Sequence, residues 1–253
     1  MADRTRSIGL AVVAWVGLLA ALAPAEAHAR DYLVSEPYFT AKRGEFEVTS
    51  WNDMNFSEAD NSGTYHSKHQ LELEYGLLDH LQLAYYEVYT WDRAQDWERD
   101  ELKLEVKCRF AEAGQWPVDV ALYGEYVNPN GRRKTRGDEL EHKVILSKDV
   151  GPWNVIVNLI GEKTLSAHHD WEFSYTAGVS YGATPRTRLG LELKETLGDS
   201  GEFGWRRKDH RLYLVPGVYT SFGSHVRVLV GPAFGLTRAS DDLQLRSIME
   251  VEF

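Results

Sequence analysis

One cysteine, Cys108, is the whole thiol content of the 253 residues. No intramolecular disulfide can form, so stability must come from a large core or from a surrounding membrane. Positive charge is also in short supply. Lys and Arg number 28 against 38 Asp and Glu, giving a formal net charge of −10. That balance argues against a nucleic-acid partner, which would want a basic face. After residue 29 there is no second apolar run of the roughly 20 residues that a membrane-crossing helix needs, and no segment beyond residue 30 carries a helical stripe. A secreted soluble domain and a β-barrel both fit that absence, because the alternating strands of a barrel average out in hydropathy.

What is present begins with an export pattern. Arg4 and Arg6 supply a positive start, residues 8–23 form an uncharged, mostly apolar run, and Ala27-His28-Ala29 reads as a small-x-small cleavage site. The expected division is a signal peptide at 1–29 and one domain at 30–253. Asp3, Arg4, Arg6 and Glu26 cancel, so cleavage leaves the acidity unchanged.

Period-two alternation fills the remainder. Leu102, Leu104, Val106, Cys108 and Phe110 share one face, and Lys103, Glu105, Lys107 and Arg109 share the other. The pattern returns at Leu71-Leu73-Tyr75-Leu77, Val118-Val120-Leu122, Trp153-Val155-Val157-Leu159, Leu189-Leu191-Leu193 and Val226-Val228-Val230. Such alternation means strands with one apolar face. The expected spans are 43–53, 65–77, 80–91, 101–111, 117–128, 138–148, 153–164, 171–183, 187–197, 209–220, 225–237 and 242–253. Each is near the roughly 9–11 residues that a tilted strand needs to cross a bilayer. Short turns at 78–79, 113–115, 151–152, 184–186 and 223–224 alternate with longer polar stretches near 54–64, 92–100, 129–137, 165–170, 198–208 and 238–241. Short periplasmic turns and long outer loops give this rhythm. The predicted fold is therefore all-β: an antiparallel, up-and-down transmembrane barrel of about twelve strands.

Trp116 and Trp153 after short turns, and Trp51, Trp91 and Trp171 beside long loops, are expected to form the two interfacial girdles. The last residue, Phe253, ends an alternating row, as does the C-terminal signal read by the outer-membrane barrel assembly machinery. The segment Glu72-Leu73-Glu74-Tyr75-Gly76-Leu77-Leu78-Asp79-His80-Leu81-Gln82-Leu83 resembles a hairpin of small outer-membrane barrels that include the transporter-like proteins of the meta-pathway of phenol degradation. The resemblance implies the barrel fold and a transport-like role.

Catalytic and metal patterns carry little weight. No serine accompanies a histidine at strand spacing on one wall, and Ser166 with His168 is a loop pair, so no enzyme is expected. His66-x-x-His69 and Ser166-Ala167-His168-His169-Asp170 each offer two nitrogens, where a stable metal site wants three or four ligands. They read as solvated loops, and no metal or cofactor is implied. Arg132, Arg133, Lys134 and Arg136 make one outer loop basic. Lipopolysaccharide phosphates are its natural partners, although a plain solvated loop fits as well.

If the apolar set faces lipid, the alternate set faces the lumen. Its acids are Glu45, Glu47, Glu72, Glu74, Glu105, Asp119, Glu125, Glu162, Glu192, Glu250 and Glu252. Its bases are Lys103, Lys107, Arg109, Lys143, Arg188, Lys194, Arg211, Arg227 and Arg246. Closing the barrel would gather Glu45, Glu47, Glu72, Glu74, Glu250 and Glu252 on adjacent strands, facing Lys107, Arg109, Arg188 and Arg227 across the lower lumen. Such an interior is either a charge-paired core or a narrow water-filled path. The expected function is a small-solute channel or porin-like transporter with a charged lumen. The alternatives are a non-conducting structural or adhesion barrel, and an outer-membrane enzyme acting on lipids.

Overall fold

The computed structural model describes residues 32–56, 65–92, 95–130, 137–166, 171–201 and 210–253. The expected signal peptide, the basic segment at 132–136 and the pair His168–His169 lie outside the described residues.

Twelve strands close into one antiparallel barrel. They are β1 (Phe46–Phe56), β2 (Tyr65–Leu78), β3 (Leu81–Asp92), β4 (Gln95–Arg109), β5 (Asp119–Pro129), β6 (Glu139–Val150), β7 (Trp153–Thr164), β8 (Glu172–Gly182), β9 (Thr187–Asp199), β10 (Leu212–Phe222), β11 (Val226–Gly235) and β12 (Leu243–Glu252). Each pairs with its sequence neighbours, and β12 returns to β1 from Glu47↔Glu252 to Phe56↔Leu243. The end that carries Glu47 and Glu252 is called the lower end below.

Side-chain parity follows the sequence pattern. Leu71, Leu104, Val106, Leu122, Leu159, Leu191, Val230 and Leu245 are exposed on the outer wall. Their inward neighbours Glu72, Glu105, Lys107, Ala121, Asn158, Glu192, Leu229 and Ile248 are buried. An outside that is apolar and an inside that is largely polar is the arrangement lipid demands of a barrel.

Four expectations need correction. The stretch 92–100 is not a loop: β3 and β4 run on and connect through 93–94 alone. Conversely, the turn placed at 113–115 is the whole segment 110–118, because the alternation of β4 stops at Arg109, whose guanidinium caps the carbonyl of Asp79 at 2.6 Å. β1 begins three residues late, since 42–45 turn out of the lumen through Gly44 (φ +83°), a conformation a side chain would strain. Trp51 belongs to no girdle. It sits mid-strand and points inward, donating from Nε1 to Glu72 Oε2 at 2.6 Å.

Phe253 is 70% exposed at the lower end, its ring 6.3 Å from that of Phe46. Its N–H donates to the Phe46 carbonyl at 2.8 Å, extending the closure by one more bond.

Arg in place of Leu104, at mid-strand on the outer wall, should cost roughly 2–4 kcal/mol of folding stability in bilayers. Arg in place of Thr196, which faces the cavity of the upper lumen, should cost much less. Equilibrium unfolding in lipid vesicles measures both, and equal costs would refute the assigned parity.

Candidate functional site

The lumen is not empty. Residues 32–43 form a strap inside the barrel that runs from mid-barrel, where Leu33 meets Glu192, down to the lower end, where it starts β1. Tyr32, Leu33, Ser35, Glu36, Tyr38, Thr40 and Ala41 are all buried.

A single carboxylate anchors its crest. Glu192 on β9 accepts the backbone N–H groups of Leu33, Val34 and Ser35 at 2.6, 3.0 and 2.8 Å, and the Tyr219 hydroxyl at 3.0 Å. Three successive amides leave an irregular segment without partners of its own, and an ionised acceptor is the strongest one available. Around this anchor, Arg246 donates to the Leu33 carbonyl at 2.7 Å while holding Asp53 at 2.9 Å. Asn158 accepts the Glu36 N–H at 2.6 Å and donates back to the Glu36 carbonyl at 3.1 Å. Lys107 pairs with the Glu36 carboxylate at 2.8 Å.

Apolar contacts hold the remainder. Leu33 packs with Tyr213, Val215, Tyr219, Leu229, Ala233 and Ile248, and Tyr32 and Tyr38 with Ala121, Tyr123, Ile145 and Ile156. Burying Leu33 alone is worth about 1.5–3 kcal/mol. Burial and the nearby Asp119 carboxylate push the Tyr38 hydroxyl above its usual range, so it remains a donor, to the Ala111 carbonyl. The wall is shaped for the strap by inward glycines. A Cβ on Gly178 would stand 2.6 Å from the Tyr32 ring, and one on Gly231 2.5 Å from Leu33 Cδ1. Leu33 also backs a gap in the β10–β11 ladder, which pairs Leu214↔Phe234 and resumes at Val218↔Val230. Pro216 and Pro232 lie in that gap, and neither has an N–H to give.

The strap divides the lumen. Above it lies a cavity of about 400 Å³, floored by Val34, Ser35 and Glu36 and lined by Lys68, Lys103, Lys143, Lys194 and Arg246 together with Glu101, Glu125, Glu139, Glu141, Glu162 and Glu172. Below it, a space of about 20 Å³ remains between Pro37–Ala41 of the strap and Glu47, Glu74, Gln82, Lys107, Arg227 and Glu250.

The acidic wall expected of the lower lumen is assembled. Glu47 stands opposite both Glu252 and Glu74, and Thr49 opposite both Glu250 and Glu72. It is not left as open charge. Arg227 pairs with Glu250 and lies 3.7 Å from Glu47, Gln82 donates to Glu74, and Trp51 holds Glu72. Glu45 lies at the rim, accepting the Lys42 N–H at 2.8 Å. The expected bases do not face that wall as a group. Lys107 and Arg109 bind the strap, Arg109 through Thr40 Oγ1 at 3.1 Å. Arg188 is tied to Ser180 Oγ at 2.9 Å, and Arg211 precedes β10 and is exposed. His66 and His69 belong to β2 rather than a loop, and three residues apart on a strand they face opposite sides. Among the described residues no cluster of metal-ligating side chains occurs.

The alternation did not reveal the strap; Asp53, Lys68, Glu101, Glu139 and Glu141 also lie on the inner wall, with the parity of the expected lumen residues but outside the expected set. The clue to the strap is in β10, where Leu212-Tyr213-Leu214-Val215-Pro216-Gly217-Val218-Tyr219 is apolar on both faces. Such a strand meets lipid outside and a packed core inside.

No family model matches the chain, and no curated protein matches it. Solved structures do. An outer-membrane channel from Pseudomonas putida F1 superposes with a TM-score of 0.64 at 14% identity, over 87% of this chain and 100% of that one. The KdgM porin in complex with disordered oligogalacturonate gives 0.54 at 9% identity, over 82% and 98% of the two chains. The NanC porin gives 0.54 at 11% identity over the same shares. The fold is that of the outer-membrane channel barrels. At such identities the likeness is one of fold, and the strap and the charges inside are argued from this chain alone.

Replacing Glu192 with Ala strips the acceptor from three buried N–H groups, each worth about 1–3 kcal/mol when left unpaired. Gly178→Ala should displace the strap independently, by colliding with Tyr32. Both variants should expose residues 32–43 to protease in the folded barrel while the parent stays protected. Equal protection in all three would show that the clamp does not hold the strap.

Proposed function

We propose that the chain is a small-solute channel of the outer membrane, with a charged upper lumen and a lower lumen narrowed by the N-terminal strap. The observation that carries this reading is the polar cavity of about 400 Å³ inside a closed barrel. A barrel serving only as a scaffold has no need of charged walls around an unfilled volume, since such side chains are costly to shield from water. The channels and porins that share the fold support the reading, as does the hairpin likeness to the transporter-like proteins of the meta-pathway of phenol degradation.

In this reading residues 1–29 direct export and are removed. The lower end faces the periplasm, and Phe253 completes the signal for assembly. The basic outer loop with Arg132, Arg133, Lys134 and Arg136 meets lipopolysaccharide phosphates. The solute path runs from the upper cavity past Arg246, Glu72 and Lys107 to Glu47, Glu74, Arg227 and Glu250 at the constriction, with Glu45, Arg109, Arg188 and Glu252 near the exit. The cavity holds more acids than bases, and acids also outnumber bases at the constriction, so the path favours cations mildly.

Planar-bilayer recordings test this. The parent should pass a small current that grows several-fold when residues 32–41 are deleted, with a reversal potential on the cation side. Glu47→Gln with Glu74→Gln should reduce that preference and leave the barrel folded. The absence of current in the deletion variant would overturn the channel and leave the structural barrel as the reading.

A further inference from the structure

The charges of the upper lumen are sorted by wall. Glu105, Glu125, Glu141, Glu162 and Glu172 stand in register across β4, β5, β6, β7 and β8. Lysines on the same wall compensate the first part of this row: Lys103 pairs with Glu125, and Lys143 with Glu141, each at 2.9 Å. The compensation stops there. Among the described residues, neither Glu162 nor Glu172 has a basic side chain as partner, although Glu162 shares a hydrogen bond with the Glu139 carboxyl, and both line the cavity.

The next strand carries the opposite vacancy. Lys194 on β9 lines the same cavity, with Arg246 and Lys68 near enough to repel it and the carboxylates of Asp53 and Glu141 near enough to attract it. Arg246 is committed to Asp53 and the strap, and Lys68 to Glu101 at 3.3 Å. Both of those carboxylates are engaged elsewhere, Asp53 by Arg246 and Glu141 by Lys143, and among the described residues none makes a salt bridge to Lys194. It stands opposite Thr176, four residues along β8 from Glu172, about 13 Å of strand. The long Lys and Glu side chains shorten that separation.

Resting on the channel reading, we propose that the cavity is a binding site for a small zwitterion the size of one or two amino acids. Its ammonium is held by Glu162 and Glu172, and its carboxylate by Lys194. A singly charged solute engages one side and leaves the other without a partner inside the lumen. A solute with both charges relieves both, and a cavity of about 400 Å³ lies within the range that small ligands occupy.

The test is calorimetric titration of the full chain in detergent with four probes: alanyl-alanine, its N-acetylated form, its C-terminal amide, and the form blocked at both ends. Alanyl-alanine should bind about tenfold more tightly than either half-blocked form, as one charge-assisted contact is worth. Lys194→Gln should remove most of the advantage over the amide. Glu162→Gln with Glu172→Gln should remove the advantage over the N-acetylated form. Equal binding of all four probes to the parent, or no binding at all, overturns the proposal without recourse to any variant. Losses that ignore which end is blocked overturn it too. Conductance recorded on the same preparation separates the two readings. Current without zwitterion selectivity overturns the site alone, whereas zwitterion selectivity without current upholds the site and overturns the channel.

Discussion

From Glu47↔Glu252 to Phe56↔Leu243, the first and last strands pair along nearly their whole length. Hydrocarbon offers no partner for a free N–H or C=O, so a sheet in lipid must have no open edge. Every other feature depends on that closure. It fixes inside and outside for each residue, because a one-residue slip would turn Leu104 inward and Glu105 into the bilayer. It also creates the enclosed volume in which a segment as irregular as 32–43 finds partners for its backbone.

Inside, burial and charge work against each other. A carboxylate such as Glu192 would be costly in a confined space, but it collects three amides and a hydroxyl and becomes an anchor. Lys107 with Glu36, and Arg227 with Glu250, follow the same logic. The strap therefore exchanges water for wall as the partner of the lower charges, whereas the upper charges keep a cavity. The asymmetry between a filled lower lumen and an open upper one comes from where the acceptors sit.

The sequence announces the barrel clearly because lipid favours a period of two on outward residues, and most strands keep it, although Ser50, Asn52, His69 and Glu87 are polar on the outer face. Strand number, parity and the acids of β1, β2 and β12 all follow from that rule. Boundaries follow less well. The bulge between Val88 and Tyr89 breaks the phase that marks the upper part of β3 and β4, so a hairpin reads as a loop. The strap has no period at all, since its contacts are individual hydrogen bonds to Glu192, Asn158 and Gln82. The glutamate row of β4–β8 was hidden for another reason: alignment across strands depends on register, which turn geometry sets and alternation alone does not encode.

The strap runs without a break into β1 through Gly44. Gly76 makes room for that crossing, for a Cβ there would stand 1.8 Å from the Lys42 carbonyl oxygen. Detachment therefore never dilutes it. A released segment stays within a few residues of its socket, at the millimolar effective concentration of a short tether. Its return is a first-order event, independent of how many barrels the membrane holds, and a detached peptide of the same sequence at micromolar concentration would lose the competition by about a thousandfold.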